Sequence, residues 1–233
     1  MASGNATLFE PKSAVATGVR RRDLVELFVG YVLILIVIWT PRPWQKLCYF
    51  AAAAYVVAVV WKARPGWKAM GWQPANFANS LWLIGVALIA SAAAIFVAER
   101  MQTLHPPGGP LMFVERYAGY ALGACVQQVL LQNFFLPRLL QLTRGPGTAA
   151  LAAAAMFSLA HLPNPILTVI TFFWGLAACL FFVRYRNLYT LAIAHTILGV
   201  TVAMTIPGPV IRNMRVGIGY LAYGSHRSHQ RSH

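Results

Sequence analysis

The sequence predicts an all-α protein, a polytopic integral membrane bundle of about seven transmembrane helices with one interfacial segment. Three observations lead there. Of 233 residues, 58% are hydrophobic and 10% charged, where a soluble domain is about 25% charged. Apolar runs close to the ~20 residues that cross a bilayer as a helix recur along the chain. Basic residues edge those runs, with 19 Lys and Arg against 5 Asp and Glu.

A net charge of +14 on a polar domain would suggest nucleic acid. Here the positive charge flanks apolar segments, so the expected partner is a lipid bilayer with anionic headgroups, and no nucleic acid is expected. Cys48, Cys125 and Cys179 sit inside apolar runs and read as small core residues, not as a disulfide framework.

Residues 1–23 form a basic N-terminal segment. The apolar run after it has no nearby small-residue cleavage site, so no cleaved signal peptide is expected. A membrane domain over 24–205 follows, with helices expected at 24–40, 45–61, 81–98, 116–142, 148–162, 166–183 and 188–205. Pro41 and Pro43, residues 144–147 and the run Leu162-Pro163-Asn164-Pro165 supply short turns, which make neighbours antiparallel. Residues 63–80, with Trp67 and Trp72, suit the headgroup level. Pro137 has no N–H and is expected to loosen the helix ladder near Asn133. Residues 206–233 read as a basic, His- and Ser-rich tail, solvated and disordered from Ser225 on. The Lys and Arg bias between alternate ends, with Arg138 counted at a loop, favours a cytoplasmic N-terminus, at the plasma membrane if the source is bacterial.

Polar side chains inside membrane helices require partners, so each marks a candidate site. The fourth expected helix carries Gln127, Gln128, Gln132 and Asn133, with Gln128 and Gln132 one turn apart on a shared face. His161 ends the fifth and His195 lies inside the seventh. The fifth is only about 22 Å long at 1.5 Å per residue, short for a ~30 Å core, so His161 is expected at partial depth. The three places are then expected to meet in one polar cavity facing the cytoplasm.

Three ordered segments carry a resemblance: Gln127-Gln128-Val-Leu-Leu-Gln132, Phe157-Ser-Leu-Ala-His161 and His195-Thr-Ile-Leu-Gly199. They resemble the motifs E-E-x-x-x-R, F-x-x-x-H and H-x-x-x-N or D of the CAAX prenyl protease and bacteriocin-processing (CPBP) intramembrane endopeptidases, over a core at 116–205. The resemblance implies cleavage of membrane-associated peptides such as prenylated C-termini or leader peptides. It implies a first Glu as general base on water, two His with the Asn holding that water or the oxyanion, and an Arg positioning the acidic pair. Phe157, His161 and His195 keep the pattern; Gln127, Gln128, Gln132 and Gly199 depart from it.

An amide cannot take a proton at neutral pH, so neither Gln127 nor Gln128 can serve as base. No Asp or Glu follows residue 115. If a peptide is hydrolysed here, the base is His161 or His195, since neutral imidazole has an ordinary pKa near 6.5. Asn164 either orients the His161 ring, supplies the missing amide, or belongs to the turn alone.

Two functions stay open at this point: an endopeptidase homologue acting on a membrane-associated peptide or protein, and a non-catalytic pseudo-protease that binds a peptide, lipid or partner. The Gln cluster reads equally as interhelical hydrogen-bond glue, and the histidines as structural or as ligands of a metal or haem. No metal or cofactor is expected, because zinc hydrolases usually pair His with a carboxylate or Cys.

Overall fold

The computed structural model describes residues 12–74 and 76–230, and these are mostly helical, with no strand among them. Lipid offers backbone N–H and C=O groups no partner, so segments crossing it satisfy them internally. In order the helices are α1 (Lys12–Trp39), α2 (Trp44–Ala63), α3 (Phe77–Ser80), α4 (Trp82–Arg100), α5 (Pro110–Val129), α6 (Leu136–Leu142), α7 (Pro146–Leu159), α8 (Pro165–Tyr185), α9 (Leu188–Thr205), α10 (Gly208–Ile211) and α11 (Gly217–Gln230). A π-helical stretch, Leu130–Phe135, joins α5 to α6.

Four of these segments, Trp44–Ala63, Phe77–Arg100, Pro165–Tyr185 and Leu188–Thr205, are long and apolar enough to cross a membrane. Large apolar side chains such as Phe50, Trp61, Ile89 and Phe173 face outward, as a lipid-facing surface requires. The fold is that of a polytopic helical membrane protein.

Start signals act locally. Proline opens α5, α7 and α8, where its missing N–H costs nothing. Asn164 and Asn187 cap α8 and α9 by accepting from Leu167 N and Thr190 N. α5 begins at Pro110, earlier than residue 116, because the Pro-Gly-rich turn ends in a proline suited to the first helical position.

Packing follows from small side chains. Ala149, Ala150, Ala153 and Ala154 of α7 are fully buried, and a Cβ on Gly175 of α8 would lie 3.3 Å from Ala154 Cα. Such surfaces let backbones approach closely where no hydrophobic drive exists between helices. Gly30 of α1 leaves room for the Phe134 ring. Hydroxyl pairs join α9 to its neighbours, Thr190 with Ser80 of α3 at 2.7 Å and Thr201 to Ser91 of α4 at 2.8 Å.

The π-helical stretch sits where Pro137 lacks the N–H that would serve the Asn133 carbonyl, and the ladder widens so that Leu136 N–H reaches Leu131 O. Arg138 is not a loop residue. It is buried, it donates to Glu26 Oε2 at 2.9 and 3.1 Å and to the Phe134 carbonyl at 2.6 Å, and its guanidinium lies 4.2 Å from the Phe134 ring centre. The buried pair ties α1 to the stretch that carries Gln132.

One further expectation is corrected. α7 ends at Leu159, leaving His161 in the following turn. The expected tail holds a helix, α11 (Gly217–Gln230), and 231–233 lie outside the described residues. The cause lies upstream, where Ile211 is buried, Gly217 N donates to Leu162 O, and Arg212 donates to Tyr220 O. Residues 64–74, by contrast, form the expected irregular segment, held to the α8–α9 turn by Leu188 N to Gly71 O.

Arg138→Ala should lower thermal stability in detergent by an amount on the order of 3 kcal/mol, because it strands Glu26 beside Arg22 alone and frees the Phe134 carbonyl. An unchanged melting temperature would show that the pair does not secure the π-helical stretch.

Candidate active site

The site is built on four elements: α5 and the π-helical stretch, the turn after α7, α8, and α9. Gln132 Nε2 donates to Gln128 Oε1 over 3.2 Å, and Gln128 Nε2 donates to His195 Nδ1 over 3.1 Å. Both Gln residues are fully buried and His195 is nearly so. An amide nitrogen only donates, so Nδ1 of His195 accepts and the neutral ring carries its proton on Nε2.

His161 has the opposite arrangement. Its Nδ1 lies 2.7 Å from the Phe157 carbonyl oxygen. A carbonyl only accepts, so Nδ1–H donates and Nε2 keeps a free lone pair. Phe157 stands between the two rings, its centroid 4.9 Å from that of His161 and 6.2 Å from that of His195, edge-on to both. The imidazoles lie within electrostatic range of each other.

Some polar atoms in this region have no partner. Asn133 Nδ2 and Trp174 Nε1 are buried and unpaired, Gln132 Oε1 faces only the weakly donating Cys179 thiol, and the Trp174 ring lies 5.5 Å from that of His195. Each such atom costs about 1–3 kcal/mol when left bare in an apolar interior. The Trp174 N–H, on a ring beside His195, marks a place that a polar ligand or water can complete.

The sequence-derived residues separate into groups. Gln128, Gln132 and His195 form one hydrogen-bonded chain, with His161 and Phe157 beside it. Gln127 is half-buried and makes no side-chain hydrogen bond, so the amide in contact with histidine is the second of the pair. Asn164 is fully buried but committed elsewhere: Oδ1 caps α8, and Nδ2 donates to Ile211 O and Arg215 O. It neither orients His161, which the Phe157 carbonyl does, nor supplies an amide to the site. Gly199 is buried with the Tyr120 hydroxyl in the place its Cβ would take. Among the described residues no ion pair joins a carboxylate to either imidazole.

Tyr120 and Trp174 were not singled out from the sequence. For Tyr120 a signal exists: it lies seven residues before Gln127, nearly two turns, and so on the same side of α5. Trp174 has none, because α8 carries no motif residue.

Residues 109–201 match the model of a family described as type II CAAX prenyl endopeptidase Rce1-like. This segment is similar to an Rce1-like domain. Neither a curated protein nor a solved structure matches the chain. The Rce1-like segment starts one residue before α5 and ends two past Gly199, enclosing all three motif segments on their helices. Its start coincides with the true beginning of α5, not with residue 116.

Two outcomes test this geometry. In ¹⁵N spectra of the detergent-solubilised protein, His161 should show the Nδ1–H tautomer and His195 the Nε2–H tautomer, and Gln128→Leu should convert His195 to a mixture; a native His195 protonated on Nδ1 would overturn the assignment. Asn164→Ala should cost about 2–3 kcal/mol, from a lost cap and two unpaired carbonyls, measurable as a lower melting temperature with the His195 tautomer unchanged.

Proposed function

We propose that this protein is a CAAX-type intramembrane endopeptidase that cleaves a membrane-associated peptide, prenylated CAAX-like or leader, with His161 as general base and His195 as donor to the carbonyl oxygen. The observation that carries this reading is the opposite protonation of the two rings. Hydrolysis without an acid needs one imidazole with a free lone pair and one polar N–H near the developing oxyanion.

A water oxygen bonds to the scissile carbonyl carbon as its proton passes to His161 Nε2. The carbonyl electron pair moves to oxygen, where the His195 Nε2–H holds the negative charge. That pair then returns, the C–N bond breaks, and His161 gives its proton to the leaving amine. The Gln132–Gln128 chain fixes the His195 tautomer, and the Phe157 carbonyl fixes that of His161 in the place a carboxylate would more strongly fill, so slow turnover is expected.

We propose that the N-terminus lies in the cytoplasm. Arg20 donates to Leu142 O, which brings Arg20, Arg21, Arg22 and Arg144 to one end of the bundle, and the end richer in Lys and Arg lies inside.

A second reading is favoured by one feature, the amides at the two positions where the family resemblance expects acids. It makes the chain a pseudo-protease that retains a peptide, lipid or partner protein without cutting it.

The readings separate on purified full-length protein in lipid vesicles supplied with an S-farnesylated reporter peptide. His161→Ala should abolish cleavage and His195→Ala should reduce it on the order of 100-fold, while Gln127→Glu should raise it. Cleavage that survives His161→Ala defeats the imidazole base, and binding with no cleavage supports the pseudo-protease.

A further inference from the structure

Gly199 follows His195 by one turn of α9, so a side chain at 199 would share its face. No such side chain exists, and the space is filled from α5: the Tyr120 hydroxyl, with its ring carbon and a neighbouring ring atom, occupies the position of the missing Cβ. The Tyr120 ring stands edge-on to His195, centroids 6.4 Å apart and planes at 86°. The residue is half-buried, and its hydroxyl makes no hydrogen bond within the protein.

A half-buried phenol O–H that makes no bond within the protein is free to donate to a ligand. This hydroxyl is on the His195 side of the site, where Trp174 Nε1 is also unpaired. Glycine at 199 is what admits it, since any side chain there would push the phenol out. The donor is therefore built by two residues on different helices, one supplying the O–H and the other the room.

We infer that Tyr120 donates its hydroxyl hydrogen bond to the carbonyl oxygen of the bound peptide, beside the His195 N–H. This deepens the proposed endopeptidase reading and rests on it for the identity of the ligand. The class of ligand recognised is a peptide carbonyl, which gains negative charge as water adds to its carbon. A donor aimed at that charge acts mainly on kcat and little on KM.

Tyr120→Phe keeps the ring and removes only the oxygen, so it tests the donor without opening a cavity. With the S-farnesylated reporter peptide in vesicles, kcat should fall on the order of 100-fold with KM within twofold. Gly199→Ala, which displaces the hydroxyl, should produce a similar loss, and the double variant should be no worse than either single one. Unchanged kcat in Tyr120→Phe, alongside loss of cleavage in His161→Ala, overturns the role of Tyr120 and leaves the endopeptidase reading standing. If the unaltered protein does not cleave, that reading fails, and retention of a farnesylated peptidyl ketone decides the inference. Retention at least fivefold weaker in Tyr120→Phe upholds the donor; equal retention, including none by either protein, overturns it.

Discussion

Inside a bilayer a polar group has no water to turn to, and it must find its partner within the protein or go without. The backbone answers with helices. Side chains answer with Asn164 and Asn187 at helix starts, with Ser80 and Ser91 bonded to Thr190 and Thr201 of α9, and with the Arg138–Glu26 pair. The same demand gives the unpaired atoms their meaning. Tyr117 Oη, Asn133 Nδ2 and Trp174 Nε1 stand out as buried atoms left without a partner.

The departures from the CPBP pattern are physically linked. With acids at 127 and 128, an Arg at 132 would neutralise them; with amides there, the same Arg would be a buried cation with no counter-charge. Gln132 avoids that, and its N–H group completes the chain to Gln128 and His195. Position 199 shows a parallel exchange, a lost side chain on one helix and a phenol from another in its volume. The site has thus become electrically neutral as a unit.

Neutrality shifts the burden onto the imidazoles. Each has one nitrogen committed to an uncharged partner that dictates its tautomer: an amide N–H for His195 and a backbone carbonyl for His161. The two partners differ in polarity, and the rings consequently present opposite faces to whatever lies between them. Phe157, near the end of α7, lies edge-on to both rings.

The helical class, the membrane setting and the approximate place of the apolar helices were legible along the chain, because hydropathy and proline position are local properties. The break at Pro137 was legible for the same reason. Other features depend on where distant residues meet. The sequence could not show that Arg138 would find Glu26, that Asn164 would be consumed by 211–215, or that 217–230 would be held as a helix. Nor could it show which Gln faces histidine or that Tyr120 fills the space at Gly199. Those outcomes were decided by tertiary packing, since a hydrogen bond is assigned by which donor and acceptor arrive within about 3 Å of one another, and that arrival depends on how whole helices pack.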